Sequence, residues 1–245
     1  MTATTTDLFL AGKIAIQQPA HGFRAGLDTV LLAAALPARE DDNLLEFGSG
    51  AGAGSLCVAS RVPACRVTGV EIDPDLIALS TGNAVANGFG DRLRFVEGDI
   101  LGGAGCMQQN FDHVFMNPPF YPPRGATSPD VAIARAKQDG GRLRDWIRAG
   151  LKRVRPGGTF TAILRADRLP EALAEMSDGG IAIFPVWPRA DEPAHRVILR
   201  AVKGSRSSSA LLPGLVVHGR GETFTPEADA VMRGGALLAL SNRRR

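Results

Sequence analysis

Residues 44–55 read LLEFGSGAGAGS, an apolar run that passes directly into a turn rich in glycine. The run predicts a buried strand over 44–47, and Gly48, Gly50 and Gly52 allow the backbone to turn tightly and approach a ligand closely. A strand, a glycine-rich turn and a helix form the first unit of a doubly wound sheet, whose ligands bind at the carboxyl ends of the strands. The segment therefore predicts a ligand site directly after the first strand.

From residue 43 onward, the chain alternates between strand and helix patterns. Helices are expected over about 55–61, 74–87, 141–154 and 169–176. Seven strands are expected, over residues 44–47, 66–71, 93–96, 111–116, 159–164, 181–185 and 196–202. Such alternation predicts an α/β fold, a Rossmann-like doubly wound, seven-stranded and mostly parallel sheet with helices on both faces.

The composition is that of an ordinary globular protein, with 44% hydrophobic and 22% charged residues in 245. A net charge of +3 permits a nucleic-acid partner without requiring one. The three cysteines show no C-x-x-C spacing, so we expect neither a disulfide framework nor a metal site. We see no signal-peptide pattern and no apolar run of membrane-spanning length, and therefore expect a cytoplasmic protein.

Acidic residues follow the second and third predicted strands. Glu71 occupies the position at which a carboxylate binds ribose hydroxyls, an arrangement that NAD-binding domains share. Asp99 can accept a hydrogen bond from an adenine amino group, with Ile100 stacked on the ring. Glu46, just before the glycines, would repel a pyrophosphate but attract a cationic amino acid tail. Together with the lack of a clean G-x-G-x-x-G, these acids favour S-adenosylmethionine as the cofactor, with S-adenosylhomocysteine as its product.

The segment FDHVFMNPPFY, residues 111–121, ends an apolar strand in a stiff turn. Residues that precede a proline are restricted to extended conformations, so Asn117 and Pro118 hold their carbonyl groups in fixed directions. The Asn117 side-chain oxygen and the Pro118 carbonyl can accept both hydrogens of an exocyclic amino group. Pro119 stiffens the same turn, and Phe120 offers a flat surface on which a base can stack. This turn predicts methyl transfer to an amino nitrogen.

The stretches EFGSGAGAG, GVEID, EGDI and NPPF, in this order, resemble the class I methyltransferases that methylate amino groups and carry an NPPY/F motif. The likeness covers about residues 43–165. The flanking stretches QPAHGFRAGLDTVLLAA, RVILRAVKGSRSS and FTPEADAVMRGG look like those of the bacterial tRNA1(Val) (adenine(37)-N6) methyltransferase group. Phe120 replaces the tyrosine of some relatives, so that stacking is retained while a hydroxyl contact is lost.

This resemblance implies specific roles. The residues Asn117, Pro118, Pro119 and Phe120 would hold the target base. The cofactor-binding residues would be Glu46, Gly48, Ser49, Gly50, Glu71, Ile72, Asp99, Ile100 and Arg24. By the resemblance, the glycine turn would border the methionine part of the donor. Arg24 is a separate hypothesis: the segment before the first strand is expected to cover the donor pocket, where Arg24 would meet either the donor carboxylate or an RNA phosphate.

The expected organisation has three segments. Residues 1–42 would be an N-terminal extension, with a poorly ordered start, an extended piece and a helix that covers the cofactor pocket. Residues 43–204 would form the methyltransferase domain, and residues 205–245 a C-terminal extension packing on it. Asp28 or Thr29 is expected to cap the first helix.

The implied substrate is the N6 amino group of an adenine in tRNA, and the same tetrad also serves enzymes that act on rRNA guanine, DNA adenine and protein glutamine. A non-catalytic binding module and a nicotinamide-dependent oxidoreductase are the alternatives outside methyl transfer. A positive face for RNA is suggested by the basic residues Arg135, Lys137, Arg142, Arg144, Arg148, Lys152, Arg153 and Arg155. The oligomeric state, monomer or homodimer, is left open.

Overall fold

The computed structural model describes residues 3–102, 110–118, 143–176 and 180–240. The strands are β1 (Thr4–Phe9), β2 (Ile14–Pro19), β3 (Asn43–Phe47), β4 (Arg66–Glu71), β5 (Leu93–Glu97), β6 (Phe111–Met116), β7 (Val154–Arg165), β8 (Ala182–Trp187), β9 (Arg196–Val202), β10 (Ala210–Leu211) and β11 (Leu215–Val216). The helices are α1 (Leu27–Ala35), α2 (Ala53–Arg61), α3 (Pro74–Ala86), α4 (Leu143–Arg153), α5 (Leu169–Leu173) and α6 (Pro226–Met232), with a 3-10 turn at Ala166–Arg168.

Nine of these strands form one mixed sheet. Its order is β10-β8-β9-β7-β6-β3-β4-β5, and β11 also pairs with β8. The pairs among β7, β6, β3, β4 and β5 are parallel, whereas β9 runs antiparallel to both β7 and β8. The predicted Rossmann-like α/β fold class is confirmed. The sheet has two strands more than expected because β10 and β11, each of two residues, add to β8 at the edge.

The strand order reverses at β3, whose neighbours β4 and β6 lie on opposite sides. Phe47 at the end of β3 pairs with Val70 of β4 and with Met116 of β6. The residues that follow these three strands therefore emerge side by side at the carboxyl edge. In doubly wound sheets this switch point is where a ligand crevice opens.

Helices cover both faces of the sheet with separate apolar clusters. On one face α1, α2 and α6 pack with residues such as Leu31, Leu56 and Val231. On the other face α4 and α5 contribute Trp146, Ile147 and Ala172. Burying a large apolar side chain contributes roughly 1.5–3 kcal/mol, so both layers stabilise the sheet that carries the switch point.

The N-terminal hairpin corrects the expectation of a poorly ordered start. Strands β1 and β2 form a two-stranded antiparallel sheet, in which Ile14 and Ile16 of β2 are fully buried. Side chains of α3 and of the residue after it complete the docking. Asn87 Oδ1 accepts from the Ala15 amide at 3.0 Å, and Asn83 Oδ1 accepts from the Gln17 amide at 2.9 Å. These hydrogen bonds order the hairpin. The sequence did not predict them because the partners lie about 70 residues apart, beyond the reach of local patterns.

The start of α1 also differs from expectation. Gly26 occupies the cap position and no side chain caps the helix. Asp28 instead forms an ion pair with Arg196 of β9 at 2.8 Å, and Thr29 contacts Asn117. Both side chains are used for tertiary contacts, so neither turns back to the helix backbone.

The C-terminal segment lies on the same sheet through β10 and β11. Helix α6 follows, with Thr225 as its cap: the Thr225 hydroxyl oxygen accepts from the Ala228 amide at 3.2 Å. The boundaries 42/43 and 204/205 remain predictions. Within the residues described, we find no helix that is long and apolar enough to span a membrane.

Candidate cofactor and catalytic site

The glycine turn between β3 and α2 is tied to the end of β4. The amides of Gly48 and Ser49 both donate to the Val70 carbonyl, at 2.9 and 3.1 Å. Gly50 has a φ of +54°, a conformation that favours glycine, and a Cβ placed on it would meet no atom within 4 Å. The turn therefore presents bare backbone to open space, as close approach of a ligand requires.

Glu71, the last residue of β4, holds the same turn from the side. Its Oε2 accepts from the Gly50 amide at 2.9 Å, and its Oε1 accepts from the amides of Ile72 and Asp73 at 2.8 and 3.1 Å. Burial raises the pKa of this carboxyl above its ordinary value, against the lowering effect of these bonds. A carboxylate has about four lone-pair positions, so one remains for a ribose hydroxyl. Ile72 beside it is half exposed, as a side chain that lines a pocket would be.

Glu46 points beneath the turn toward α2. It is 4% exposed, and its Oε2 accepts from the Ser55 hydroxyl and, at 2.9 Å, from the Ser55 amide. A Cβ on Gly54 would lie 2.2 Å from Glu46 Oε1, so the carboxyl fits only because that residue is glycine. Burial raises the pKa of Glu46 to about 8. Its visible role is to join β3 to α2, while a contact with the donor stays a prediction.

Asp99 and Ile100 follow β5 at the same edge. The Gly98 amide donates to the Glu71 carbonyl at 2.9 Å, which places Asp99 close to the end of β4. Asp99 Oδ1 accepts from the Leu101 amide at 2.9 Å, and among the described residues its other oxygen has no hydrogen-bond partner. Ile100 is 7% exposed and belongs to the apolar cluster around Val70, so only a small part of it can face an adenine ring.

Asn117 follows β6 and faces the start of α1. Its Nδ2 donates to Thr29 Oγ1 at 3.4 Å, whereas its Oδ1 is buried and has no hydrogen-bond partner among the described residues. Leaving a buried acceptor unpaired costs about 1–3 kcal/mol, so the atom is poised to meet a donor from outside the chain. Pro118 is buried beside it. Pro119 and Phe120 lie outside the described residues.

Ser49 Oγ, in the glycine turn, is a second buried polar atom without a partner in the part of the chain described. With the open space at Gly50 and the remaining lone pair of Glu71, it supplies polar groups of the kind that S-adenosylmethionine binds. The residues present therefore fit this cofactor. The described residues contain no cluster of histidine, cysteine and acidic side chains that could hold a metal ion.

Arg24 is engaged by the N-terminal hairpin. Its guanidinium forms an ion pair with Asp7 and donates to Thr5 Oγ1 at 2.6 Å and to the Pro19 carbonyl at 3.0 Å. These contacts hold the segment between β2 and α1 against the hairpin. A contact of Arg24 with the donor carboxylate or an RNA phosphate stays a prediction.

The basic run on and around α4 is partly neutralised. Arg148 forms an ion pair with Glu175 at 2.6 Å, and Arg144 lies 3.8 Å from the same carboxylate. Arg155 forms an ion pair with Asp112. Arg135, Lys137 and Arg142 lie outside the described residues. The net positive charge of the described part of this run is therefore smaller than its number of basic residues indicates.

Two residues of the site escape prediction from the sequence. Ser55, which binds Glu46, closes the glycine-rich run, and its position at the start of α2 is the only local signal. Thr29 has the local pattern of a helix cap. Its contact with Asn117 was not predicted because the two residues are 88 positions apart.

Comparison with known proteins identifies the family to which this chain is similar. The family model for the methyltransferase small domain matches residues 24–145. A tRNA1(Val) (adenine(37)-N6)-methyltransferase from Porphyromonas gingivalis is 33% identical over 176 residues, 68% of each chain. A release factor glutamine methyltransferase from Chlorobaculum tepidum is 34% identical over 94 residues, 38% of this chain and 32% of its own.

Among solved structures, a protein from Agrobacterium tumefaciens described as a predicted O-methyltransferase superposes with a TM-score of 0.73 at 26% identity. The match covers 86% of this chain and 98% of that one. Fold and sequence thus agree on a methyltransferase that uses S-adenosylmethionine. This chain belongs to the family of tRNA1(Val) (adenine(37)-N6)-methyltransferases.

Proposed function

We propose that this enzyme transfers the methyl group of S-adenosylmethionine to the exocyclic N6 amino group of an adenine in tRNA. The observation that carries the proposal is the buried, unpartnered Oδ1 of Asn117 at the end of β6, which has no partner among the described residues. It lies at the switch point, directly after β6, the strand next to the one that leads into the glycine turn. An acceptor in that position matches an amino group presented beside a bound donor.

The two hydrogens of the amino group would be accepted by Asn117 Oδ1 and the Pro118 carbonyl. Both bonds would hold the nitrogen lone pair toward the methyl group and reduce its delocalisation into the ring. Each is worth about 1 kcal/mol net, and alignment of the reacting atoms supplies most of the acceleration. The cofactor provides an electrophilic methyl group on a sulfonium. After transfer the nitrogen is cationic and releases a proton readily, so no strong general base is required.

The remaining assignments form the rest of the proposed site. Glu71 would bind the ribose hydroxyls and Asp99 the adenine amino group. Phe120 would stack on the target base, and Pro119 would keep the turn rigid. The residues that border the rest of the cofactor would be Glu46, Gly48, Ser49, Gly50, Ile72, Ile100 and Arg24.

The choice of tRNA rests on the extent of the likeness. The relative whose name specifies a tRNA adenine matches 68% of the chain, well beyond the catalytic core. Two release factor glutamine methyltransferases match smaller shares of the chain, 38% and 58%. Guanine in rRNA and adenine in DNA are further substrates that the same tetrad could hold. We place the reaction in the cytoplasm, where tRNA is available.

The test is methylation of total tRNA with a radiolabelled donor, followed by digestion to nucleosides. We expect labelled N6-methyladenosine from tRNA. DNA, rRNA and a release factor are assayed in parallel as alternative substrates. Label in the release factor or the other nucleic acids, and none in tRNA, would overturn the choice of substrate while leaving methyl transfer intact.

A further inference from the structure

We infer that Thr29 is a positioning residue for the methyl transfer: it holds the Asn117 amide so that Oδ1 faces the target amino group. The inference rests on the proposed function and deepens it. The Thr29 hydroxyl is the only hydrogen-bond partner of the Asn117 side chain within the described residues, at 3.4 Å from Nδ2. Thr29 is 5% exposed, so water has little access to this contact.

Helix α1 is held in place at both ends, and this fixes the Thr29 hydroxyl. At the start of the helix, Arg196 of β9 donates to Asp28 at 2.8 Å. At the end, Arg61 of α2 donates to the carbonyls of Ala33 and Leu36 at 3.0 and 2.8 Å. The helix that carries the Thr29 hydroxyl is therefore fixed to the sheet and to α2 by contacts that do not involve the loop carrying Asn117.

The direction of the amide determines what it can bind. An asparagine side chain has acceptor capacity on one atom and two donors on the other, and rotation by 180° exchanges them. With Nδ2 on Thr29, the acceptor faces the amino group of the substrate. In the reversed orientation Nδ2 would face that amino group, donor against donor, and substrate binding would lose one of its two acceptors. A hydroxyl can donate as well as accept, so the substrate and Thr29 select the orientation together.

The experiment compares three variants. Thr29→Val has the same shape and lacks the hydroxyl, whereas Thr29→Ser keeps the hydroxyl and lacks the methyl group. The matched control is Thr161→Val on β7, a threonine that is fully buried and whose Oγ1 has no partner among the described residues. Each variant is measured for kcat and KM on tRNA, for binding of S-adenosylhomocysteine by calorimetry, and for the Asn117 side-chain amide signal by NMR. That signal is identified by its absence from the Asn117→Ala spectrum.

We expect Thr29→Val to lower kcat by about tenfold, the value of one oriented hydrogen bond, with S-adenosylhomocysteine affinity within about twofold. Its Asn117 amide signal should move, whereas Thr29→Ser should restore both kcat and signal, and Thr161→Val should alter neither. An unmoved amide signal in Thr29→Val would overturn the inference even if wild-type enzyme failed to methylate tRNA. If tRNA is methylated, equal kcat in Thr29→Val and wild type would overturn it as well, while the proposed function stood.

Discussion

The backbone amide of Gly50 donates to Glu71 Oε2 at 2.9 Å, joining the glycine turn to the end of β4 across 21 residues. The other oxygen of Glu71 binds the next two amides of the chain. A single buried carboxylate thus sets the shape of the turn and keeps one lone pair for a ligand. Turn geometry and cofactor binding are consequently coupled through one side chain.

Replacing Glu71 with glutamine should weaken cofactor binding. The amide retains one acceptor oxygen but directs an NH2 group at backbone N–H donors, which disrupts the turn and removes the acceptor for ribose. Hydrogen bonds to charged groups contribute about 1.5–3 kcal/mol, so S-adenosylhomocysteine affinity should fall about 10- to 100-fold in calorimetry. Asp75→Asn, at an acid in the first turn of α3, is the control. Equal binding by Glu71→Gln and wild type would show that Glu71 does not shape the site.

Removing the Asn117 side chain should separate turnover from cofactor binding. Asn117→Ala loses an acceptor for the target amino group but none of the groups assigned to the cofactor. By comparison with loss of one oriented group in other active sites, kcat should fall about 100-fold or more. Calorimetry should give an S-adenosylhomocysteine affinity close to that of wild type. Undiminished turnover would remove Asn117 from the mechanism.

Two glycine-to-alanine changes should have opposite effects on stability. In Gly54→Ala the new Cβ would lie 2.2 Å from Glu46 Oε1. Such overpacking costs about 1–3 kcal/mol in the free energy of unfolding. Gly82 lies in α3, where an added Cβ would meet no atom within 4 Å, so Gly82→Ala should add about 0.5–1 kcal/mol. Urea denaturation of both variants checks this. An unchanged free energy of unfolding in Gly54→Ala would show that the Glu46 carboxyl can shift to make room for the added Cβ.

The pH dependence of stability should change in Glu46→Gln. Burial raises the pKa of Glu46 from 4.5 to about 8, so between these values the folded protein keeps a proton that the unfolded chain has released. Stability from this group is complete below pH 4.5 and is lost as pH rises toward 8. At about 1.4 kcal/mol per unit, the loss between pH 5 and pH 8 is on the order of 3–4 kcal/mol.

Glutamine resembles the protonated acid and cannot lose that proton, so the variant should be less sensitive to pH. The measurement is urea denaturation of wild type and Glu46→Gln, both without cofactor, at pH 5 and pH 8. The free energy of unfolding of the variant should increase relative to that of wild type as pH rises. Glu71 also has a raised pKa, but it is present in both proteins and largely cancels in the difference. Parallel curves would mean that Glu46 is ionised in the folded state across this range.

Between residues 43 and 202, the order of strands and helices, the glycine turn and the acids after the strands were predicted from residue patterns, whereas the β1–β2 hairpin, β10, β11 and α6 were not. The reason is that alternation, glycine spacing and proline restrictions act over a few residues and are visible locally. The Asn117-Pro118 corner belongs to the same class, because each proline restricts the residue before it. The sequence alone therefore determined the fold class, the cofactor and the type of chemistry.

Contacts across long stretches of chain were decided by the tertiary structure. The hairpin β1–β2 is ordered because Asn83 and Asn87 bind its backbone, and Arg24 forms an ion pair with Asp7 of that hairpin. The direction of Glu46 follows from packing against Ser55, and that of the Asn117 amide from Thr29, which α1 brings to the end of β6. No local pattern reports such pairings, since their energy depends on which distant groups share a buried space.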